Sequence, residues 1–252
     1  MGFIKFYFKE LFKSFLNFIF TISMPTLIYA KYKKDIQESP RDISKFIIKI
    51  NTYNFIFALI GFIILGILDF ILKENFITDF PKGINIILFI CGVLLIWFAI
   101  SRCLEIFYAF YRDSISQLKS IKNSSDLKYF ERIKLAMTSY AELIINYAII
   151  YYVYAQFLVA NDIQIDEFKI SNIIDSIYYS IVTITTLGYG DLHPMSGSYS
   201  IPIQILSVAE VINGFILIIV SFTIYVSKSI DNKESEKDFK KDNKYLERNS
   251  LP

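Results

Sequence analysis

Two glycines separated by one residue, Gly188 and Gly190, lie in the segment Thr-Thr-Leu-Gly-Tyr-Gly-Asp at residues 185–191. Successive backbone carbonyls point to one side only where the backbone alternates between right- and left-handed dihedral angles, and left-handed values are inexpensive only for glycine. Carbonyl oxygens arranged in this way can replace the hydration shell of a cation. Thr186 can add a hydroxyl oxygen at the innermost position. The segment therefore predicts a cation site of backbone oxygens, with Leu187 and Tyr189 turned outward and packed against the preceding helix.

A short helix is predicted immediately before this segment, at residues 172–184. Asn172 is a suitable N-cap, and Asp175 places an acid in the first turn, where the helix dipole favours negative charge. A helix of this length reaches only about 20 Å, too short to cross a bilayer core of about 30 Å. Because a half-crossing segment is tolerated only where it is buried in protein or lines water, the helix and the segment after it are predicted to form a re-entrant loop.

Long apolar runs place the chain in a membrane. Of its 252 residues 54% are hydrophobic, against about 45–50% in an ordinary soluble domain, and the mean hydropathy is +0.44. Four runs are long enough for transmembrane helices: residues 50–68, 84–101, 143–161 and 200–227, the last interrupted once by Glu210. The net charge of +2 gives no reason to expect a nucleic-acid partner.

The distribution of basic residues predicts the orientation. With four spans, 23 Lys and Arg residues fall on one side of the membrane and 3 on the other. Because Lys and Arg concentrate in cytoplasmic loops, both termini are predicted to be cytoplasmic in a multi-pass protein of the cell membrane. The short helix would then enter from the outside.

Residues 3–22 have more than one open interpretation. Lys5, Lys9 and Lys13 recur on one face of a helix whose other face is largely apolar, which is typical of a helix lying in the membrane interface. Residues 14–30 are free of charge, so a fifth span or an uncleaved signal-like segment also stays open. A fifth span would move the three lysines outside, so the interfacial helix is favoured.

The chain is thus divided into five regions. They are a cytoplasmic region with the amphipathic helix, a two-helix transmembrane region, a cytoplasmic linker, a pore-like domain and a flexible polar tail. Their predicted bounds are 1–49, 50–112, 113–137, 138–227 and 228–252.

Residues 177–191, Ile-Tyr-Tyr-Ser-Ile-Val-Thr-Ile-Thr-Thr-Leu-Gly-Tyr-Gly-Asp, resemble the pore helix and selectivity filter of the potassium channel superfamily. The resemblance covers roughly residues 140–227, and the layout is similar to prokaryotic pore-loop channels with two extra helices before the pore domain. It implies an all-α membrane protein with four transmembrane helices and a re-entrant pore helix and filter between the third and fourth.

The resemblance also implies roles for individual residues. The backbone of Thr186–Gly190 would bind K⁺, with the carbonyls of Thr186, Leu187, Gly188 and Tyr189 lining the ion sites. Support would come from Thr185, Asp191, Tyr178 and Tyr179, with Asp191 hydrogen-bonded to Tyr178 and Tyr179 directed toward the Tyr189 hydroxyl. The family usually has Trp-Trp or Trp-Phe where this chain has Tyr-Tyr, and valine or isoleucine at the position of Leu187. Some relatives carry an acid where this chain has Val182.

Three further residues have alternative interpretations. Gly214, near the middle of the fourth run, matches a hinge glycine of the family's inner helix, and close helix packing through a small residue is an equal alternative. Glu210 either forms structural hydrogen bonds behind the filter, the favoured interpretation, or approaches the ion path. His193 titrates near neutrality, and a solvated loop residue is favoured over a pH sensor.

The resulting prediction is a potassium-selective channel subunit that acts as a homotetramer, with no enzymatic activity and no cofactor beyond the permeant K⁺. One filter segment cannot close a ring, and four can. A nonselective cation channel and a non-conducting sensor subunit are the alternatives. The first two runs lack the Arg-rich pattern of a voltage sensor, and the stimulus that opens such a channel is not readable from the sequence.

Overall fold

A computed structural model of the chain describes residues 39–71, 82–119, 125–161, 170–194, 199–228 and 230. Within these residues the structure is helical and contains no strand. The helices are α1 (Pro40–Ile71), α2 (Lys82–Leu118), α3 (Tyr129–Ala160), α4 (Ile173–Ile184) and α5 (Ile201–Gly214), and α5 continues into a π-helical segment, Phe215–Phe222. The amphipathic helix predicted at 3–22 and nearly all of the predicted tail lie outside the described residues.

Among the residues that the structure describes, four helices are long and apolar enough to cross a membrane. They are Pro40–Phe70, Ile90–Leu118, Tyr129–Ala160 and the continuous stretch Ile201–Lys228. Each corresponds to one of the four predicted runs, and α4 is the short apolar helix between the last two. The described part of the chain is therefore all-helical, with four candidate membrane spans.

The first three long helices extend beyond the charge-free runs that predicted them. Helix α1 begins at Pro40 rather than near residue 50, α2 continues to Leu118, and α3 begins at Tyr129, so both α2 and α3 enter the predicted linker 113–137. A charge-free run marks only the part of a helix suited to hydrocarbon, whereas the helix itself continues wherever charges are solvated or paired. Arg41 illustrates this, because its guanidinium donates to both carboxylate oxygens of Glu131 at 2.9 and 2.8 Å.

Side-chain contacts fix the relative directions of the long helices. Asn51 of α1 contacts Ser139 of α3, and Asp69 of α1 contacts Tyr152 of α3. Residue numbers therefore increase in the same direction along both helices, so α1 and α3 are parallel. Along α2 and α3 the ion pairs Asp113–Arg132 and Arg102–Glu142 run in opposite order, so α2 is antiparallel to α3. The starts of α1 and α3 and the end of α2 therefore share one end of the bundle.

The last long helix returns to that same end. Tyr154 bonds the carbonyl of Tyr199, Tyr151 bonds Glu210, and Asn213 bonds Tyr147, so α5 is antiparallel to α3. The described chain thus crosses the bundle four times, and residues 40 and 228 lie at the same end.

Helix α3 forms the centre of the bundle. Its tyrosines Tyr147, Tyr151 and Tyr152 are almost completely buried, and it packs against α1, α2, α4 and α5. Helix α1, by contrast, leaves most of its apolar side chains at least partly exposed, as expected of a helix that faces lipid. Position in the bundle therefore separates a peripheral helix from the central one that supports α4.

Candidate functional site

Helix α4 has the short length and the N-terminal cap that the sequence predicts. It has 12 residues, which span about 18 Å. The Asn172 side chain accepts a hydrogen bond from the backbone N–H of Asp175 at 2.9 Å, which satisfies one of the amides that have no partner inside the helix. Asp175 itself lies in the first turn of α4.

Helix α4 runs alongside α5 and ends about halfway down it. Tyr179 contacts Ser207, Ser180 contacts Glu210, and both helices advance in the same direction. The end of α4 at Ile184 lies against Gly214, in the middle of the 201–228 stretch. The chain must therefore turn back after α4 to reach the start of α5.

The loop after α4, residues 185–191, alternates in backbone handedness. Gly188 and Gly190 have φ angles of +60° and +78°, as the spacing of the glycines predicts. Thr186 has a φ of +56°, which the sequence analysis did not anticipate. A left-handed backbone is unfavourable for a β-branched residue, so Thr186 is held in this conformation by its surroundings. Three left-handed residues thus alternate with Leu187 and Tyr189.

The start of the loop is anchored to the last turn of α4. The backbone N–H of Thr186 donates to the carbonyl of Thr183 at 3.0 Å, and that of Leu187 donates to the carbonyl of Val182 at 3.0 Å. The Thr185 hydroxyl donates to the carbonyl of Ile181 at 2.6 Å. These bonds bring the loop directly onto the helix C-terminus, where the macrodipole favours positive charge.

The far end of the loop is anchored to the middle of α4. The Tyr178 hydroxyl donates to Oδ2 of Asp191 at 2.6 Å, which is the contact that the family resemblance implies. This bond lowers the pKa of the Asp191 carboxyl and raises the pKa of Tyr178 to about 12. Because Asp191 returns to Tyr178 while Leu187 bonds to Val182, the loop folds back along α4.

Within one chain the side chains of the loop stay largely exposed. Leu187 and Tyr189 are 55% and 67% exposed, so their expected packing against α4 is at most partial in a single copy. The Tyr179 hydroxyl lies 2.8 Å from the Ser207 hydroxyl. Its predicted approach to the Tyr189 hydroxyl stays a prediction.

Glu210 lies behind the loop, between α3, α4 and α5. Its carboxylate accepts hydrogen bonds from the Ser180 hydroxyl at 2.5 Å and the Tyr151 hydroxyl at 2.8 Å, and the side chain is completely buried. Burial of a carboxylate is costly unless hydrogen bonds compensate. These contacts favour the structural interpretation of Glu210 over a position in an ion path.

The tyrosine hydroxyl groups that join α3 to α5 were not predicted from the sequence. Tyr147, Tyr151 and Tyr154 follow one another at helical spacing on α3, and their hydroxyls reach Asn213, Glu210 and the Tyr199 carbonyl. The signal was present in the sequence, because tyrosines spaced by four and three residues in an apolar helix share one face. His193, by contrast, is exposed in the loop before Pro194.

Comparison with known proteins gives two matches. Residues 139–229, from within α3 to the end of the helical stretch that begins with α5, match the model of a family described as an ion channel. The chain is also 42% identical over 55 residues to the two-pore potassium channel 1 of Arabidopsis thaliana, an alignment that covers 22% of this chain and 14% of that relative. No solved structure matches the chain significantly.

The matched range contains α4, the loop 185–191 and the two long helices that flank them. Residues 139–229 therefore resemble an ion channel domain, and the two matches together support a place for the chain in the potassium channel superfamily.

Proposed function

We propose that four copies of this chain form a potassium-selective channel in the cell membrane, with Thr186–Gly190 as the selectivity filter. The proposal rests above all on the left-handed backbone at Thr186, Gly188 and Gly190. Alternation between left- and right-handed residues turns successive carbonyls toward a common side, and a stack of such oxygens can replace the hydration shell of K⁺. The oxygens would come from Thr186, Leu187, Gly188 and Tyr189, with the Thr186 hydroxyl at the inner end.

Electrostatics supports a cation at this place. The carbonyl groups at the C-terminus of α4 carry partial negative charge, and the loop begins directly on that end through the bonds to Val182 and Thr183. A cation in the filter is therefore stabilised by backbone dipoles, without a fixed carboxylate. Asp191 is held at the other end of the loop by Tyr178.

Four copies of the chain are needed to surround the ion. One chain supplies one strand of carbonyls, whereas a desolvated ion needs oxygens on all sides, as four symmetric copies provide. The large exposed area of Leu187 and Tyr189 in the single chain supports such an assembly, because neighbouring copies would cover these side chains. The approach of Tyr179 to Tyr189 is expected to form in that assembly.

The orientation in the membrane follows from charge. The end of the bundle that holds residues 40 and 228 belongs to the side that carries 23 of the 26 Lys and Arg residues, so we place it in the cytoplasm. The loop 185–191 then opens toward the outside, and α4 enters the membrane from that side. Helices α1 and α2 lie outside the pore domain and are additional to the transmembrane helices that form the pore.

The proposal is tested by ion flux into liposomes that contain the purified full chain. We expect K⁺ uptake that barium blocks and that greatly exceeds Na⁺ uptake under the same gradient. Equal K⁺ and Na⁺ uptake would indicate a nonselective cation channel of the same architecture. A correctly assembled protein that conducts neither ion under any gradient would indicate a non-conducting membrane subunit.

A further inference from the structure

The carboxylate of Asp69, near the end of α1, lies at the N-terminus of α4. Its Oδ2 accepts a hydrogen bond from the backbone N–H of Ile173, the first residue of α4, at 3.0 Å. Its Oδ1 accepts a hydrogen bond from the Tyr152 hydroxyl of α3 at 2.8 Å. One side chain therefore joins α1, α3 and α4.

Helix α4 needs this contact because its own cap is incomplete. The first backbone N–H groups of a helix have no partner within it, and the Asn172 side chain serves the N–H of Asp175. The N–H of Ile173 is served by Asp69, which is 104 residues away in sequence. A carboxylate at this end also interacts favourably with the helix dipole. The short helix is thus capped twice, once locally and once by a distant helix.

Packing around Asp69 holds the two helices close together. Leu65 and Ile173 are both buried in the same apolar core. A Cβ placed on Gly66 would meet Ile173 Cγ2 at 3.7 Å, so the backbone of α1 passes within ordinary contact distance of the start of α4. Tyr152 is almost completely buried, which limits the movement of its hydroxyl. The position of Asp69 is therefore fixed from both sides.

We propose that Asp69 is a positioning residue for ion selection: it sets the position of α4 and, through α4, of the loop 185–191. This inference rests on the proposed function. Helix α4 is a single rigid element of 12 residues, so displacement of its first turn moves the carbonyls that follow its last turn. Along the rest of α4, Ser207, Glu210 and Gly214 of α5 contact the helix. Helix α3 contacts it through the Ile144 carbonyl and the Tyr151 ring. Asp69 supplies the contact from α1, the first of the two additional helices.

The matched substitutions differ in whether they keep an acceptor for the Ile173 N–H. Asp69→Ala removes both hydrogen bonds. Asp69→Asn keeps a carbonyl oxygen for Ile173, and its amide can donate to the Tyr152 hydroxyl oxygen. Tyr152→Phe removes only the bond to α3. Ile67→Ala, on the exposed side of α1, is the control for a change in the same turn of the helix.

The experiment measures two quantities on the assembled full chain in liposomes, the K⁺ to Na⁺ permeability ratio and hydrogen exchange at the start of α4. For Asp69→Ala we expect a several-fold lower ratio and exchange at the Ile173 amide faster by about tenfold, the scale of one hydrogen bond to a charged group. Asp69→Asn should retain most of both values, Tyr152→Phe should be intermediate, and Ile67→Ala should match the unsubstituted protein.

Two results would overturn the inference. One is unchanged exchange at Ile173 in Asp69→Ala. The other is a wild-type permeability ratio in Asp69→Ala despite faster exchange. If Asp69→Ala does not assemble, the other two variants decide. A wild-type permeability ratio in Tyr152→Phe together with a strongly reduced ratio in Asp69→Asn would contradict the inference, because the charge of Asp69 would then matter more than its hydrogen bonds. Failure of the proposed function is recognised separately, since the unsubstituted protein would then show no K⁺ preference while exchange at Ile173 still reports on the cap.

Discussion

Gly214 and Ile184 approach each other so closely that a larger residue at position 214 would displace Ile184. A Cβ built on Gly214 would lie 2.7 Å from Ile184 Cγ1 and 3.2 Å from the Ile184 carbonyl oxygen. Ile184 is the last residue of α4, so α5 passes directly beneath the start of the candidate filter. Of the two interpretations of Gly214, close packing therefore explains the glycine without a bend. The α-helix ends at this residue and the π-helical segment follows, and such segments often mark functional positions.

Gly214→Ala is expected to destabilise the assembled protein by about 1–3 kcal/mol, because the added methyl group overpacks the contact with Ile184. Thermal unfolding in detergent measures the change. Gly61→Ala is the matched control, since a Cβ there would meet its nearest atoms at 3.9 and 4.0 Å. Alanine also has the higher helix propensity, so the control should be neutral or stabilising.

A double substitution separates packing from hinge bending. Ile184→Ala removes the Cγ1 atom that the new methyl group would meet, so Gly214→Ala combined with Ile184→Ala should lose less stability than the sum of the two single changes. Simple additivity of the two changes would contradict the packing account of Gly214.

Glu210 is expected to contribute to stability rather than to ion selection. Glu210→Leu removes the acceptor that the buried Ser180 and Tyr151 hydroxyls share. The Ser180 hydroxyl can still donate to the Ile144 carbonyl, and the Tyr151 hydroxyl to the Ser207 hydroxyl, so we expect a cost of about 1 kcal/mol for each lost bond. Glu210→Gln, which keeps one acceptor oxygen, should lose less. Thermal unfolding and the K⁺ to Na⁺ permeability ratio are measured on the same preparations. A stable Glu210→Leu protein with altered selectivity would mean that the carboxylate acts on the ions instead.

The bond between Tyr178 and Asp191 predicts a defined pH dependence. Since the pKa of Asp191 is lowered from 3.8, the bond stabilises the fold above that ordinary value and is lost as the pH falls through the lowered pKa. Since the pKa of Tyr178 is raised from 10.0 to about 12, the contribution is present below pH 10.0 and is lost as the pH rises through about 12. Between these limits it should be constant.

Tyr178→Phe removes the bond and provides the comparison. The difference in unfolding temperature between the unsubstituted protein and Tyr178→Phe should stay constant from about pH 5 to pH 9, the interval inside both shifted pKa values, and should shrink in acid. A difference that changes within the neutral range would show that another group controls the outer end of the loop.

Much of the site was predictable from the sequence because its determinants are local. The N-cap at Asn172, the short length of α4 and the left-handed glycines all depend on residues within a few positions of one another. The contact from Tyr178 to Asp191 was predicted through the family resemblance.

The features that were missed depend on distant parts of the chain. The left-handed Thr186 has no local signature, because threonine disfavours that conformation and the surroundings impose it. Asp69 follows a long apolar run, and nothing near it in sequence indicates that it bonds Ile173. Helix bounds were also too short, because ion pairs such as Arg41 with Glu131 allow helices to continue past the apolar core.

The most direct test of the carbonyl filter is the K⁺ to Na⁺ permeability ratio of Gly188→Ala in liposomes, measured beside Gly61→Ala. Gly188 has a φ of +60°, and a Cβ there would meet only one atom, at 4.0 Å, so the substitution opposes the left-handed backbone without a steric clash. We predict a tetramer of normal size that no longer prefers K⁺, while Gly61→Ala keeps the preference. Full K⁺ preference in an assembled Gly188→Ala channel would contradict the assignment of this backbone as the ion site.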